Sequence, residues 1–260
     1  MKLRPKLFFK EGLLFAATLA VGIFTAYRYS LMPDAVQLPE IRFSFWDALI
    51  LVAIISFFVF AHKYKKVAGF SFKFFLIFVV FTGAQIVAGA IVNPPYDLVA
   101  TLAMVLVFVF LRNVLVHNIG VVLGVAGIAS ILGLAISPRT AILLLVVLSF
   151  YDIFSVYVTR HMVAMARNMI ESGAPFGFII PSENDQPMIL GSGDVGLPLI
   201  LACSLVGLYV SEAVIVALFS FLGLFLTHLI FVNQKVRKPM AALPPIATLS
   251  IIGYLISQLL

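Results

Sequence analysis

Two aspartates lie within apolar stretches of this 260-residue chain and have the clearest capacity for chemistry. Asp152 lies in LLLVVLSFYDIFSVYVT, and Asp194 lies in MILGSGDVGLPLILACSL. A carboxylate in the middle of a bilayer costs at least about 2.5–3.5 kcal/mol on insertion scales, so such acids indicate function. Two carboxyl groups held close together retain one proton between them and can serve as acid and base in hydrolysis. From the residues alone, an interhelical bond between the acids and a proton relay remain open as alternatives.

The two aspartates are predicted to meet at one depth in the membrane. A helix that enters from the outer side near Thr140 carries Asp152 about 18 Å down, roughly 12 Å from the inner edge of a ~30 Å core. A helix that starts on the inner side near Ile189 brings Asp194 to about 8 Å from the same edge. Because these helices are consecutive and antiparallel, we expect the two side chains to face each other.

Small and hydroxyl residues accompany both aspartates. Gly191 and Gly193 precede Asp194, and small residues of this kind let transmembrane helices approach closely. Pro198 follows four residues later and lacks the N–H that would pair with the Asp194 carbonyl. The hydroxyl residues that share a helical face with Asp152 are Ser149, Ser155 and Thr159. This face is predicted to line a polar, water-containing cavity.

The composition requires an apolar solvent around the chain. Hydrophobic residues make up 63% and charged residues 11%, whereas soluble domains have about 45–50% and about 25%. The chain is therefore predicted to be a polytopic membrane protein, which excludes a cytosolic enzyme, a nucleic-acid-binding protein and a secreted disulfide scaffold. The single cysteine, Cys203, leaves no intramolecular disulfide and no cysteine cluster for a metal.

Nine apolar runs approach the length of about 20 residues that a spanning helix needs. They are approximately Leu13–Leu31, Phe45–Ala61, Phe74–Val92, Leu98–Leu111, Ile119–Ile136, Thr140–Thr159, Ile189–Val210, Ala213–Val232 and Ala242–Leu260. We therefore predict an all-α, nine-helix bundle forming a single transmembrane domain over residues 1–260. Within it, residues 1–159 hold spans one to six, residues 160–188 form a cytoplasmic connecting loop, and residues 189–260 hold spans seven to nine.

The distribution of Lys and Arg predicts the orientation. With the N-terminus inside, fourteen of the 17 basic residues lie in inner segments, and only Arg28, Arg42 and Arg139 lie outside. Positive charge favours the cytoplasmic side, so the N-terminus is predicted inside and the C-terminus outside. This bias also accounts for the net charge of +6 without a nucleic-acid partner. Acids near predicted span ends, including Asp97 and Glu212, are expected to be solvated.

Three short motifs occur in order near the inner ends of three predicted spans. They are Tyr151-Asp152 in span six, Gly191-Ser192-Gly193-Asp194 in span seven and Ala242-Leu243-Pro244 at the start of span nine. Together they resemble the presenilin and signal-peptide-peptidase family of intramembrane aspartyl proteases. One departure is Ala241, which stands where the family usually has proline. The predicted orientation is similar to that of presenilins, and the compact loops are typical of a prokaryotic, archaeal-type homologue.

The resemblance implies an intramembrane endopeptidase of the cell membrane that cleaves transmembrane helices with Asp152 and Asp194 as catalytic residues. The other motif residues would position the site or the substrate, and these are Tyr151, Gly191, Gly193, Ala242, Leu243 and Pro244. No metal, cofactor or nucleic acid is implied. Between the two acids, His161–Glu171 is predicted to form an amphipathic helix on the inner surface. The run Phe176–Pro181 is predicted to be extended and to offer a strand edge to an unwound substrate.

Two other classes of protein remain as alternatives. A prepilin or preflagellin peptidase also uses a G-x-G-D aspartate, but such enzymes typically have fewer spans and a lysine soon after the motif, where this chain has Val195 and Gly196. A proton-coupled transporter or channel could use the two acids as a relay, and it predicts symmetry between the two halves, which the sequence lacks. The four histidines form no H-E-x-x-H motif, which argues against a zinc protease.

Overall fold

The computed structural model describes residues 4–32, 65–111, 113–159, 161–171, 173, 175–181, 187–234 and 239–259. The predicted second span, Phe45–Ala61, lies outside this part of the chain. The helices are α1 (Pro5–Ser30), α2 (Lys65–Ile91), α3 (Tyr96–Phe110), α4 (Val114–Ala135), α5 (Pro138–Ile153), α6 (His161–Glu171), α7 (Ser192–Val206), α8 (Val210–Val232) and α9 (Leu243–Ser257). A π-helical segment, Phe154–Val158, continues α5, and two strands, β1 (Gly177–Ile180) and β2 (Met188–Gly191), precede α7.

The described part of the chain is a mostly helical membrane protein. Five helices are long and apolar enough to cross a bilayer, namely α1, α2, α4, α5 with its π-helical continuation, and α8. Three shorter apolar helices, α3, α7 and α9, pack with them. Large apolar side chains such as Phe70, Phe110 and Phe150 are exposed on the bundle surface. An apolar exterior of this extent suits contact with lipid rather than water.

Helices α2 and α4 approach each other at glycine. A Cβ on Gly127 of α4 would overlap the backbone of Gly83 in α2, and a Cβ on Gly83 would overlap the backbone of Gly124. Absence of side chains lets the two backbones touch, which is the small-residue packing that replaces hydrophobic burial between helices in lipid. This contact sets the position of α4, which in turn carries residues that contact the β-hairpin.

Gly127→Ala is expected to destabilise the fold by about 1–3 kcal/mol, because the added methyl group must push α2 and α4 apart. The measurement is thermal unfolding in detergent. Gly207→Ala is the matched control, since a Cβ at Gly207 meets nothing within 4 Å and its φ of −69° suits alanine. Equal melting temperatures for the two variants would contradict close α2–α4 packing.

Among the described residues, Glu11, Asp97 and Asp152 are buried acids, and the first two bond to side chains of neighbouring helices. Glu11 of α1 and His228 of α8 are both buried, with 2.7 Å between Glu11 Oε2 and His228 Nδ1. Asp97 of α3 is only 8% exposed and accepts a 2.7 Å hydrogen bond from Gln85 Nε2 of α2. The expectation that Asp97 is solvated was therefore wrong, because helix packing covers it and an amide satisfies it. The third acid is Asp152.

Candidate active site

Asp152 lies in the last turn of α5 and is held by the start of α9. Its carboxylate Oδ2 accepts a 3.3 Å hydrogen bond from the backbone N–H of Leu243, the first residue of α9. N–H groups in the first turn of a helix have no intrahelical acceptor, so a carboxylate is a suitable partner for them. The Ala242-Leu243-Pro244 motif therefore contacts Asp152 through its backbone.

The chain changes from α to π geometry two residues after Asp152. Ile153 ends α5, and the π-helical segment closes with a 3.1 Å hydrogen bond from the Thr159 N–H to the Phe154 carbonyl. Short π-helical turns occur frequently at functional sites. The prediction of one regular helix over Thr140–Thr159 did not include this change, since hydrophobic pattern carries no signal for a wider turn.

Asp194 lies just after a β-hairpin and not several residues inside a helix. The predicted span from Ile189 is wrong at its start, because residues Met188–Gly191 form β2 and the helix begins at Ser192. Asp194 is thus the third residue of α7, in the first turn, and the depth of about 8 Å calculated from a helical rise does not apply. Strand pairing with β1 overrides helix formation for these four residues.

Gly191 leaves room for the carboxyl group of Asp194. A Cβ on Gly191 would lie 2.8 Å from Asp194 Oδ2, too close for any larger residue without movement of the carboxyl group. The Gly191 N–H and the Asp152 carboxyl group both lie within electrostatic range of this carboxyl group. Gly193 differs, since a Cβ there meets nothing within 4 Å. The two glycines before Asp194 therefore have different roles.

The remaining motif residues divide into those near the two acids and one that is turned outward. Ala242 is the residue that precedes α9, and Pro244 occupies its first turn, where the missing N–H costs no hydrogen bond. Tyr151 is 48% exposed, whereas its neighbour Asp152 is 9% exposed, so the two side chains face different surroundings. The structure therefore joins Asp152 to Leu243 by a hydrogen bond and packs α5 against α7, the helix that carries Asp194, whereas the Tyr151 side chain is largely exposed.

Two of the three hydroxyl residues that were expected to line a cavity bond to the helix backbone. Ser155 Oγ donates to the Asp152 carbonyl at 3.2 Å, and Thr159 Oγ1 donates to the Ser155 carbonyl at 3.3 Å. Hydroxyl groups near a helix end commonly pair with carbonyls three or four residues earlier in this way. These two side chains satisfy the backbone around the π-helical segment, so they do not support the predicted cavity lining.

The β-hairpin has one edge covered by α4. Gly177 pairs with Gly191 and Ile179 with Ile189 in antiparallel register. Asn118 of α4 bonds both backbone groups of Ile179, accepting from its N–H and donating to its carbonyl, each at 2.8 Å.

These contacts decide which edge of the hairpin is open. Because the backbone groups of Ile179 point toward α4, ladder alternation directs those of Phe178 and Ile180 to β2 and those of Ile189 to the outer edge of β2. The extended conformation predicted for Phe176–Pro181 is confirmed as β1, but the expectation that this run offers the substrate edge was wrong. Neither Asn118 nor the hairpin partner β2 was identified from the sequence, and the only signal was an amide within an apolar run.

A cavity of about 630 Å³ borders one face of the hairpin. Ile179 and Ile189 contribute its hairpin wall, and its other described lining comes mainly from α2, the end of α3 and the start of α4. The described lining includes neither Asp152 nor Asp194. The cavity therefore lies beside the hairpin rather than at the carboxyl groups. Among the described residues, no group of three or more His, Cys, Asp or Glu side chains could hold a metal ion.

The apolar helical bundle defines the chain as a helical membrane protein. Comparison with known families identifies which family of membrane proteins it belongs to. Residues 48–260 match the family described as signal-peptide peptidase, presenilin aspartyl protease. The match covers most of the chain, and the chain belongs to this family. It is accordingly a hydrolase of the intramembrane aspartyl-protease class, as the three motifs predicted.

Solved structures with the same fold support the assignment of architecture. Two structures of a presenilin family intramembrane aspartate protease, in C222 and P2 space groups, are similar to this chain. The first is 22% identical with a TM-score of 0.63 and covers 94% of each chain. The second is 24% identical with a TM-score of 0.64 and covers 94% of this chain and 96% of that one. No curated protein sequence matches this chain.

Proposed function

We propose that Asp152 and Asp194 are the catalytic pair of this protease and that its substrates are transmembrane helices of other membrane proteins. The observation that carries the proposal is the meeting of α5, α7 and α9. Helix α5, which carries Asp152, packs against both α7, which carries Asp194, and α9, whose Leu243 N–H bonds to Asp152. Asp97 and Glu11 are the matched contrast, since each is buried but bonded to a side chain that satisfies it.

The reaction we propose needs one proton shared by the two carboxyl groups. The ionised carboxylate takes a proton from water as the water oxygen attacks the carbonyl carbon of the peptide bond. The protonated carboxyl group donates its proton to the carbonyl oxygen, which gives a neutral tetrahedral diol. As the C–N bond breaks, one carboxyl group protonates the leaving amine and the other takes a hydroxyl proton from the diol, which restores the single shared proton. The two groups act as a unit, so neither is assigned as the initial acid.

The substrate must be extended where it is cut, because helical hydrogen bonds hide its peptide bonds. The outer edge of β2, where Ile189 directs its N–H and C=O, suits an added strand. This edge runs directly into Gly191 and the first turn of α7. The side chains of Ile179 and Ile189 line the cavity, which borders one face of the sheet. A substrate residue paired with Ile189 would place its side chain on this same face.

The wider arrangement follows from the same proposal. Nine spans with the N-terminus inside and the C-terminus outside put the inner ends of α5 and α7 at the cytoplasmic side of the cell membrane. The connecting loop over residues 160–188 would then lie between spans one to six and spans seven to nine as the entry region for substrate. A prokaryotic origin remains part of this proposal and is consistent with the short loops.

The proposal predicts that the purified chain in lipid vesicles cleaves a synthetic transmembrane peptide within its apolar segment. A non-cleavable peptide with a hydroxyethylene group in place of the scissile bond should inhibit cleavage, since it imitates the tetrahedral intermediate. Mass spectrometry of the products provides the measurement. Proton flux across the vesicle membrane with no peptide cleavage would contradict the proposal and favour a transporter.

A further inference from the structure

Two neighbouring side chains of α4 cover the edge of β1 that faces away from β2. Asn118 binds the N–H and the C=O of Ile179, and His117 Nε2 lies 3.0 Å from the Gly177 carbonyl. Gly177 and Ile179 are two residues apart, which is the spacing at which a strand directs its backbone groups to one side. Successive residues of one helix therefore occupy the positions that a third strand would take.

The side chain of Asn118 makes the same pair of hydrogen bonds to β1 that a residue of a neighbouring strand would make. Its carboxamide offers one donor and one acceptor to a single residue, and a strand neighbour does the same in a hydrogen-bonded pair. The side chain is only 7% exposed, so its two hydrogen bonds are not shared with bulk water. An isolated two-stranded hairpin is marginally stable, and this one gains a third, fixed partner from the bundle.

We propose that Asn118 is a positioning residue that sets the cleavage register, and this inference rests on the proposed function. Asn118 holds Ile179 at a fixed position relative to α4, and Ile179 pairs with Ile189 on β2. Asn118 therefore also fixes the position of the β2 edge that would receive the substrate. Asp194 follows this edge by only a few residues. If the substrate strand paired with this edge one residue out of register, a different peptide bond would face the two carboxyl groups. Every side chain of the substrate strand would then lie on the opposite face of the sheet.

A purely structural role for Asn118 predicts something different. If the amide served only to satisfy buried groups, its removal would lower stability and total activity but leave the pattern of products unchanged. If it sets the register, removal changes which bonds are cut. The distribution of product termini therefore separates the two roles.

The test compares Asn118→Leu and Asn118→Asp with the wild-type chain on one transmembrane peptide. Leucine has a similar volume but no polar group, and aspartate has the same shape but loses the donor to the Ile179 carbonyl. Ser130→Ala is the control in the same helix, because Ser130 Oγ donates to the Gly127 carbonyl of α4 itself and bonds no other described residue. The measurements are mass spectrometry of product termini and hydrogen exchange at the Ile179 amide in folded, size-purified protein.

We expect the ratio of the main product to its register-shifted neighbours to fall about thirtyfold in Asn118→Leu, which loses both hydrogen bonds to Ile179, and about fivefold in Asn118→Asp, which loses one. We expect hydrogen exchange at the Ile179 amide to speed up about fivefold in Asn118→Leu, which removes the acceptor of that N–H, and to change less in Asn118→Asp, which keeps an acceptor oxygen. Ser130→Ala should match the wild type in both measurements. Should Asn118→Leu fail to fold, the isosteric Asn118→Asp gives the answer.

An unaltered product pattern in a folded Asn118 variant, with or without faster exchange, would overturn the inference while leaving the proposed function intact. A wild-type chain that cleaves no transmembrane peptide would refute the proposed function and this inference with it.

Discussion

Replacing either Asp152 or Asp194 with asparagine is expected to lower the rate of peptide cleavage by at least about 10³-fold, within the range general acid–base catalysis contributes. Asparagine keeps the shape of each side chain but can neither take a proton from water nor give one to the substrate. Because the two carboxyl groups act as a unit, the double variant should be little worse than either single one. The measurement is cleavage of a transmembrane peptide in vesicles, with product quantified by mass spectrometry.

Asp97→Asn is the matched control for this loss. Asp97 is buried to the same degree as Asp152, and its carboxyl group also accepts a hydrogen bond within the apolar bundle. Gln85 can hydrogen-bond to an amide at position 97 as well as to a carboxylate, so we expect Asp97→Asn to fold and to cleave at close to the wild-type rate. Retained cleavage in folded Asp152→Asn or Asp194→Asn would rule out the pair as the catalytic residues.

Gly191→Ala is expected to lower activity about 10²-fold with little change in stability. The new methyl group would stand 2.8 Å from Asp194 Oδ2, so the carboxyl group must move, and a displacement of about 1 Å in a reacting group costs about 10²-fold. The backbone of Gly191 has φ −62° and ψ 138°, which alanine also adopts, so the free energy of unfolding should change by less than about 1 kcal/mol. Melting temperature and cleavage rate are measured on the same preparation.

Gly193→Ala distinguishes displacement of Asp194 from other effects of a methyl group near the site. A Cβ on Gly193 meets nothing within 4 Å, so Asp194 keeps its position. The loss in Gly193→Ala should therefore be clearly smaller than in Gly191→Ala. Equal losses in the two variants would indicate that both glycines serve substrate approach and that the contact between Gly191 and Asp194 does not govern activity.

Much of the fold could be predicted because hydrophobic length and helix-ending residues are local properties. The helix His161–Glu171 has the bounds expected from its amphipathic pattern. The long apolar helices were located from the same kind of pattern, and α8 ends at Val232 as expected. The family was identified from three short motifs, which carry chemistry in residue type and order.

The parts that could not be predicted depend on contacts between distant segments. Residues Met188–Gly191 are apolar enough for a helix, and only their pairing with β1 makes them a strand. The edge of β1 is closed by Asn118, about sixty positions earlier in the chain, and no local pattern links the two. Asp97 has the composition of a span-end acid, but packing of α3 against α2 buries it. The π-helical turn after Asp152 has the same apolar residues as a regular helix.

The most direct test of the shared-proton pair is an experimental structure of the chain with a hydroxyethylene transmembrane peptide bound. The proposed chemistry predicts that the hydroxyl group of the inhibitor lies within about 2.6–3.2 Å of both the Asp152 and the Asp194 carboxyl groups. A hydroxyl group that contacts one carboxyl group alone, or that lies elsewhere in the bundle, would contradict the claim that these two acids hydrolyse the substrate together.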